Sequence, residues 1–172
     1  MADPLMIDLA AVSLFSRGQP SPDAKRDWTG LRLLVTAGPT VEPLDAARTL
    51  SNRSSGAMGV LLAQAAQLRG ADVDLVHGPL QVPIPWKESL CCHPITSAAE
   101  LEAVLKDLQP KADAVAMAAA VADLRRSIPA TSLKEPKAFW LDRLAEGWEL
   151  VPDLLAGISA RRTNGQCVLG FA

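Results

Sequence analysis

Between Thr36 and Ala57 the chain reads TAGPTVEPLDAARTLSNRSSGA, a stretch dense in backbone donors, hydroxyls and one side-chain amide. Thr36, Gly38, Thr40, Asn52, Ser54, Ser55 and Gly56 all fall within it. A Gly/Ser turn feeding a helix is an anion site in waiting. The first N–H groups of the helix lack intrahelical acceptors, and the helix dipole favours negative charge there. The chemistry this predicts is capture of a phosphate-bearing ligand. Glycine fingerprints that serve the same purpose elsewhere are missing: no GxGxxG follows the preceding strand and no GxxxxGK[ST] occurs, so neither a dinucleotide-binding fingerprint nor a P-loop is present.

The elements around this stretch must hold it at a sheet edge. Leu31–Thr36 is an apolar run that reads as a buried parallel strand, and Ala57–Arg69 as a helix stopped by Gly70. The connection between them is far longer than the usual ~2–6 residues, which marks it as a functional loop. Further on the pattern predicts strands at Asp72–His77, Leu90–Pro94, Ala114–Ala118 and Cys167–Phe171. It also predicts a helix capped by Ser97, with Glu100 closing a capping box, and a short helix from Pro152. Residues 124–148 read as irregular, and residues 1–30 as linker-like after a short amphipathic segment at 1–16. Strands alternating with helices specify an α/β fold, a parallel sheet covered on both faces. Ligands bind such sheets beyond the carboxyl ends of the strands. Thr36–Pro39, Ala118–Asp123 and Gly170–Ala172 converge on that edge.

Composition narrows the function classes. The 172 residues carry a net charge of −2, with four Trp, three Phe and no Tyr. There is no basic field to attract nucleic acid and no aromatic platform for single strands. No apolar run reaches the ~18 residues of a membrane span, and the N-terminus lacks the basic region of a signal peptide, so a cytoplasmic protein is expected. Cys91, Cys92 and Cys167 form an odd set without CxxC spacing, which argues against a disulfide framework or a zinc site. His77 and His93 read as isolated strand-end residues.

Taken together, TAGPTVEPLD, SNRSSGAMG, AAAVAD and GFA resemble the motifs of phosphopantothenate–cysteine ligase, the CTP-dependent second half of the bacterial bifunctional coenzyme A flavoprotein. The resemblance covers residues 31–172. It implies a Rossmann-like fold whose C-terminal part continues past Ala172, so that the chain is expected to be an incomplete ligase domain. The implied reaction has two steps. The carboxylate of 4′-phosphopantothenate attacks the α-phosphorus of CTP, releasing pyrophosphate, and the cysteine amine then displaces CMP from the acyl-cytidylate. Mg²⁺ accompanies the nucleotide, and FMN belongs to a decarboxylase domain that is not in this chain. A homodimer is implied for the intact family.

Residue by residue, the resemblance makes Ser54, Ser55 and Gly56 the phosphate turn and Asn52 the holder of the acyl-cytidylate. Met117, Ala118 and Ala119 would read the cytosine with their backbone, and Asp123 would bind nucleotide. Lys134 would stabilise the phosphoryl-transfer transition state, with Lys137 the competing position. Pro152, Asp153 and Leu154 form a nucleotide turn whose usual first asparagine is Val151 here. Phe171 would lie near the base. Val41 and Ala57 stand where the family carries basic residues. On residue types alone, Asn52 could equally serve a turn, and Asp123 a helix or turn cap. Three functional readings follow: the ligase, a catalytically inactive chain that folds, dimerises or binds nucleotide only, and a nicotinamide oxidoreductase. The last is disfavoured by the missing glycine fingerprint and the absence of any Tyr-x-x-x-Lys pair.

Overall fold

The computed structural model describes residues 28–82, 90–127, 133–143 and 145–171; the segment expected as a helix at 1–16 lies outside them. A five-stranded parallel sheet forms the centre, from β1 (Arg32–Ala37), β4 (Asp72–His77), β5 (Cys91–Pro94), β6 (Ala114–Met117) and β9 (Cys167–Gly170). Its order is β5-β4-β1-β6-β9. The chain therefore winds outward from β1 in one direction and then returns across it to build the other half.

β1 is the hinge of this arrangement because its side chains serve both faces. Leu33, Val35 and Ala37 join the core under helix α1 (Ala57–Leu68), together with Val60, Ala63 and Ala66. Leu34 faces the other core, with Leu101 and Leu105 of α2 (Ala98–Leu108) and Leu154 and Ile158 of α4 (Leu154–Ala160). Burial on both sides is why β1 reads as a continuous apolar run. Gly59, Ala63 and Ala66 put small residues on the strand-facing stripe of α1, at helical spacing. A Cβ on Gly59 would stand 2.6 Å from the Thr36 carbonyl oxygen, so this glycine sets how closely α1 lies on β1.

The helix boundaries follow local chemistry. Arg69 caps α1, and Gly70 adopts φ +97° behind it. Ser97 Oγ accepts the Glu100 N–H at 3.2 Å, as expected of a capping box. The reciprocal bond runs one residue earlier than expected, from the Thr96 N–H to Glu100 Oε2 at 2.7 Å. The last helix begins at Leu154 rather than Pro152, because Asp153 caps it by accepting the Ala156 N–H at 2.8 Å. Trp28 lies in the expected linker yet packs on the α1 core and donates its N–H to the Arg69 carbonyl at 3.0 Å.

Two stretches read as loop or irregular contain structure. Within the long first connection, β2 (Val41–Pro43) pairs antiparallel with β3 (Thr49–Ser51). Within 124–148, β7 (Leu124–Arg126) pairs antiparallel with β8 (Trp148–Leu150), and α3 (Lys137–Arg143) lies between them. Strands of three residues are too short to show a period, and distant partners hold these. Buried Glu42 accepts the Ala98 N–H at 2.8 Å. The guanidinium groups of Arg48 and Arg126 both lie over Trp140, at 5.5 and 5.9 Å from the ring centre. No helix among the described residues is long and apolar enough to cross a membrane.

Candidate functional site

The carboxyl ends of β1 and β6 are joined into one rim. Thr36 is fully buried, and its Oγ1 accepts the N–H groups of both Ala118 and Ala119 at 3.0 Å. Gly38 accepts from Ala120, and Ala120 from Thr40, at 2.9 and 3.1 Å. Thr40 Oγ1 then accepts the Ala122 N–H at 2.9 Å. Thr36 at the end of β1 and Thr40 in the loop after it thus hold the Ala118–Ala122 backbone. The same bonds leave the carbonyl oxygens of Ala118 and Ala119 without a donor among the described residues. In this rim the free backbone groups beside Phe171 are acceptors.

Two clefts open on the rim and meet at Ala119 and Phe171. The first, about 400 Å³, is lined by Arg53, Ser54, Ser55, Gly56 and the start of α1 on one side and Ala118–Ala120 on the other. Gly56 takes φ +78° at the helix N-cap, a conformation that glycine adopts without strain. Ser54 Oγ accepts the Gly56 N–H and Ser55 Oγ the Ala57 N–H, both at 3.3 Å. The next two N–H groups of the helix, Met58 and Gly59, have no acceptor among the described residues. Arg53 is exposed at the mouth and brings the only positive charge among the lining residues. Its place between Asn52 and Ser54 is the signal that sequence reasoning passed over.

The second cleft, about 370 Å³, is lined by Met117, Ala119, Val121, Ala122, Asp123 and Val151–Leu155. The Val151 N–H donates to the Asp123 carbonyl at 2.9 Å, which draws the two segments together. Of the two carboxylates here, Asp153 is engaged in capping α4, whereas the Asp123 carboxylate has no donor among the described residues. Eleven of the thirteen expected site residues therefore line the paired clefts.

Asn52 and Lys134 line neither cleft. Asn52 Nδ2 donates to the Val121 carbonyl at 2.9 Å, so its amide ties the end of β3 to the second cleft's wall rather than closing a turn on itself. Lys134 and Lys137 are both exposed. Their segment is moored through Glu135, whose N–H donates to Asp45 Oδ2 at 3.2 Å and whose carbonyl accepts from Arg48 at 3.2 Å. Burial opposes ionisation of Asp45, but the N–H groups of Ala47 and Glu135 and the ion pair with Arg48 outweigh it and hold the carboxyl below its ordinary range. The sign follows from linkage. A lowered native value gives stability that is complete above the ordinary carboxylate range and lost as pH falls through the native value. Acid titration below about pH 4 should release the 133–136 segment, read as increased proteolysis around Lys134 and Lys137. Asp45→Asn, which cannot ionise, should show the loosened state at neutral pH and no further change in acid.

A parallel sheet in this order, with clefts at its carboxyl edge around the β1/β6 switch point, defines a Rossmann-like α/β domain built to hold a ligand. Residues 28–172 match the DNA/pantothenate metabolism flavoprotein C-terminal domain, and the chain belongs to that family. Over all 172 residues it is 38% identical to the coenzyme A biosynthesis bifunctional protein CoaBC of Escherichia coli, spanning 40% of that protein. It is 40% identical over 150 residues to CoaBC of Vibrio cholerae, covering 87% of this chain and 37% of the relative. The crystal structure of the C-terminal domain of a CoaBC protein superposes with a TM-score of 0.70 at 30% identity, covering 87% of this chain and 67% of that one.

Proposed function

We propose that this chain carries the CTP-dependent ligation of 4′-phosphopantothenate to cysteine in coenzyme A biosynthesis. The observation that carries the reading is the paired cleft. A serine–glycine turn at a helix N-terminus faces a strand end whose free backbone groups are acceptors, with Phe171 between the two. The triphosphate lies in the first cleft, against Ser54, Ser55, Gly56 and the open N–H group of Met58. Arg53 meets its charge from the mouth. Preorganised donors of this kind stabilise charge on non-bridging oxygens during phosphoryl transfer. The base enters the second cleft. The Ala119 carbonyl there, with that of Ala118 just on the first cleft's side, suits an exocyclic amino group, which cytosine has and uracil lacks, and Asp123 and the Pro152–Leu154 turn complete the second cleft's wall.

No carboxylate lines the first cleft. Mg²⁺ therefore fits as an ion carried in on the nucleotide's phosphates and water, with the hydroxyls of Ser54 and Ser55 as the side-chain oxygens beside it. It supplies neutralisation of the triphosphate's charge. The carboxylate of phosphopantothenate attacks the α-phosphorus and pyrophosphate leaves. The cysteine amine attacks the acyl carbon and CMP leaves. Asn52 acts from the rim, holding Val121 and the second cleft's wall in place. Lys134 or Lys137, brought over the site with the Asp45-moored segment, serves the transferring phosphoryl group. A homodimer and a neighbouring flavin decarboxylase domain, both implied by the family resemblance, are the protein partners this reading carries.

The test is pyrophosphate release from purified protein with CTP, Mg²⁺ and 4′-phosphopantothenate, with and without cysteine. Release that requires phosphopantothenate supports the ligase. A folded protein that binds CTP but releases nothing overturns it in favour of nucleotide binding alone. Asn52→Ala should lower turnover at least tenfold; unchanged turnover would remove Asn52 from the mechanism.

A further inference from the structure

On β4 and the neighbouring β5, among residues that line neither cleft, three donor side chains of different chemistry meet. Asp74 of β4 and Cys91 of β5 are register partners in the parallel ladder, and His93 lies two residues beyond Cys91 on the same strand face. His93 Nε2 is 2.9 Å from Asp74 Oδ1 and 3.4 Å from Cys91 Sγ, and the three donor atoms lie within 4.8 Å of one another. The Asp74 side chain is only 9% exposed. Its other oxygen, Oδ2, is 3.4 Å from Arg32 Nε, which fixes the carboxylate's orientation from behind. Cys91 is exposed, so the cluster is open to solvent on one side.

We propose that Asp74, Cys91 and His93 bind one borderline-soft divalent cation of the zinc class. A thiolate and an imidazole select such ions over magnesium or calcium, which take oxygen ligands. In a tetrahedral zinc site with its usual bond lengths the donor atoms stand roughly 3.3–3.8 Å apart. The separations here are close enough to reach that spacing by side-chain rotation alone. The alternative of a Cys–His–Asp proton relay fails on geometry. A relay needs the thiol and the carboxylate on different ring nitrogens, whereas here both crowd Nε2. Several donors converging on one point is what a cation requires. Three protein ligands leave the fourth position to water, and Arg32 serves as the orienting partner that metal-bound carboxylates usually have. Sequence spacing could not show this, because the ligands come from two strands and the only local signal is Cys-x-His.

Because β5, among the described residues, is an edge strand paired with β4 alone, an ion joining Asp74 to Cys91 and His93 would also pin that edge. The experiment uses tag-free, chelator-treated protein titrated with Co²⁺ alone. One equivalent per chain should give a thiolate-to-cobalt charge-transfer band, and Zn²⁺ should bleach it and raise the melting temperature. Cys91→Ser, at an exposed position, should abolish the band while circular dichroism shows the protein still folded. His93→Ala should weaken Co²⁺ at least tenfold, and Cys92→Ser should leave it unchanged. No band in folded protein, a band that survives Cys91→Ser, or displacement of Co²⁺ by excess Mg²⁺ would each overturn the proposal. Pyrophosphate release plays no part in these readouts, so the outcome is independent of the ligase reading.

Discussion

Replacing Thr36 by Val should destabilise the protein by roughly 2–6 kcal/mol, since two N–H groups lose their acceptor and each costs about 1–3 kcal/mol when left unmet. The shapes of the two side chains are nearly the same, so no cavity or clash contributes. What is lost is Oγ1, the oxygen that holds Ala118 and Ala119 at 3.0 Å. The residue is fully buried, and water cannot reach the vacated position from the β1 side. Urea titration should show a lower midpoint with an unchanged slope, the mark of lost stability without a change in the denatured state. Thr36→Ser keeps the oxygen and should recover most of the loss. The functional effect should exceed the stability effect near the midpoint. Freed N–H groups at Ala118 and Ala119 would turn outward and put donors where the base-side rim now offers acceptors. CTP affinity should therefore fall at least tenfold in Thr36→Val and little in Thr36→Ser, measured by calorimetry well below the unfolding transition. A Thr36→Val protein as stable as its parent would show that the rim is held by Thr40 and the Pro39–Ala120 bridge instead.

How much of this was legible in the sequence depended on whether the cause was local. β1 and β4 are readable as short apolar runs, and α1 and α2 as helical patterns with their own stop or cap, Gly70 and Ser97. The two hairpins are not. Val41–Pro43 and Leu124–Arg126 have three residues each, and their registers are fixed by Glu42 reaching Ala98, 56 positions away, and by Arg125 pairing with Glu149 at 2.6 Å. The same division runs through the site. Ser54–Gly56 could be found because a serine–glycine turn before a helix is a local device. The second cleft came from family resemblance, since Met117–Ala119 on their own are ordinary strand residues. The partner of Asn52 was invisible: its amide is satisfied by Val121, 69 residues on, which no spacing rule anticipates. In the sequence His93 reads as an isolated strand-end residue, although Cys91 is two positions away. The alternation of a strand places both on one face, and only the parallel pairing with β4 adds Asp74.

Gly78→Ala should be the most damaging single-methyl change in the protein. A Cβ there would lie 1.8 Å from the Pro39 carbonyl oxygen. The obstacle is backbone, so no side-chain rotation relieves it, and the cost should be at least about 3 kcal/mol, the upper end for overpacking. Gly78 has no left-handed backbone to protect, so the effect would be purely steric, unlike a change at Gly56. The consequence reaches the phosphate turn. Just after Gly78, Leu80 packs against Gly38 and Gly56, and the Gln81 N–H donates to the Ser55 carbonyl at 3.1 Å. Pushing the two loops apart withdraws this support from Ser55 and Gly56 while leaving their own residues intact. Thermal unfolding should show a melting temperature lowered by about six degrees or more for a chain this size, on the scale of about 2–4 °C per kcal/mol. Triphosphate affinity should drop with it. Gly157→Ala provides the opposite control. It sits inside α4, where the new methyl meets only the movable end of Arg161 at 3.3 Å, and replacing a helical glycine by alanine gains roughly 0.5–1 kcal/mol. The pair separates the two reasons a glycine is present. At position 78 two backbones need the space, and at position 157 nothing in the packing does. If Gly78→Ala melted like its parent, the close approach of the β1 and β4 loops would not be what holds the phosphate turn.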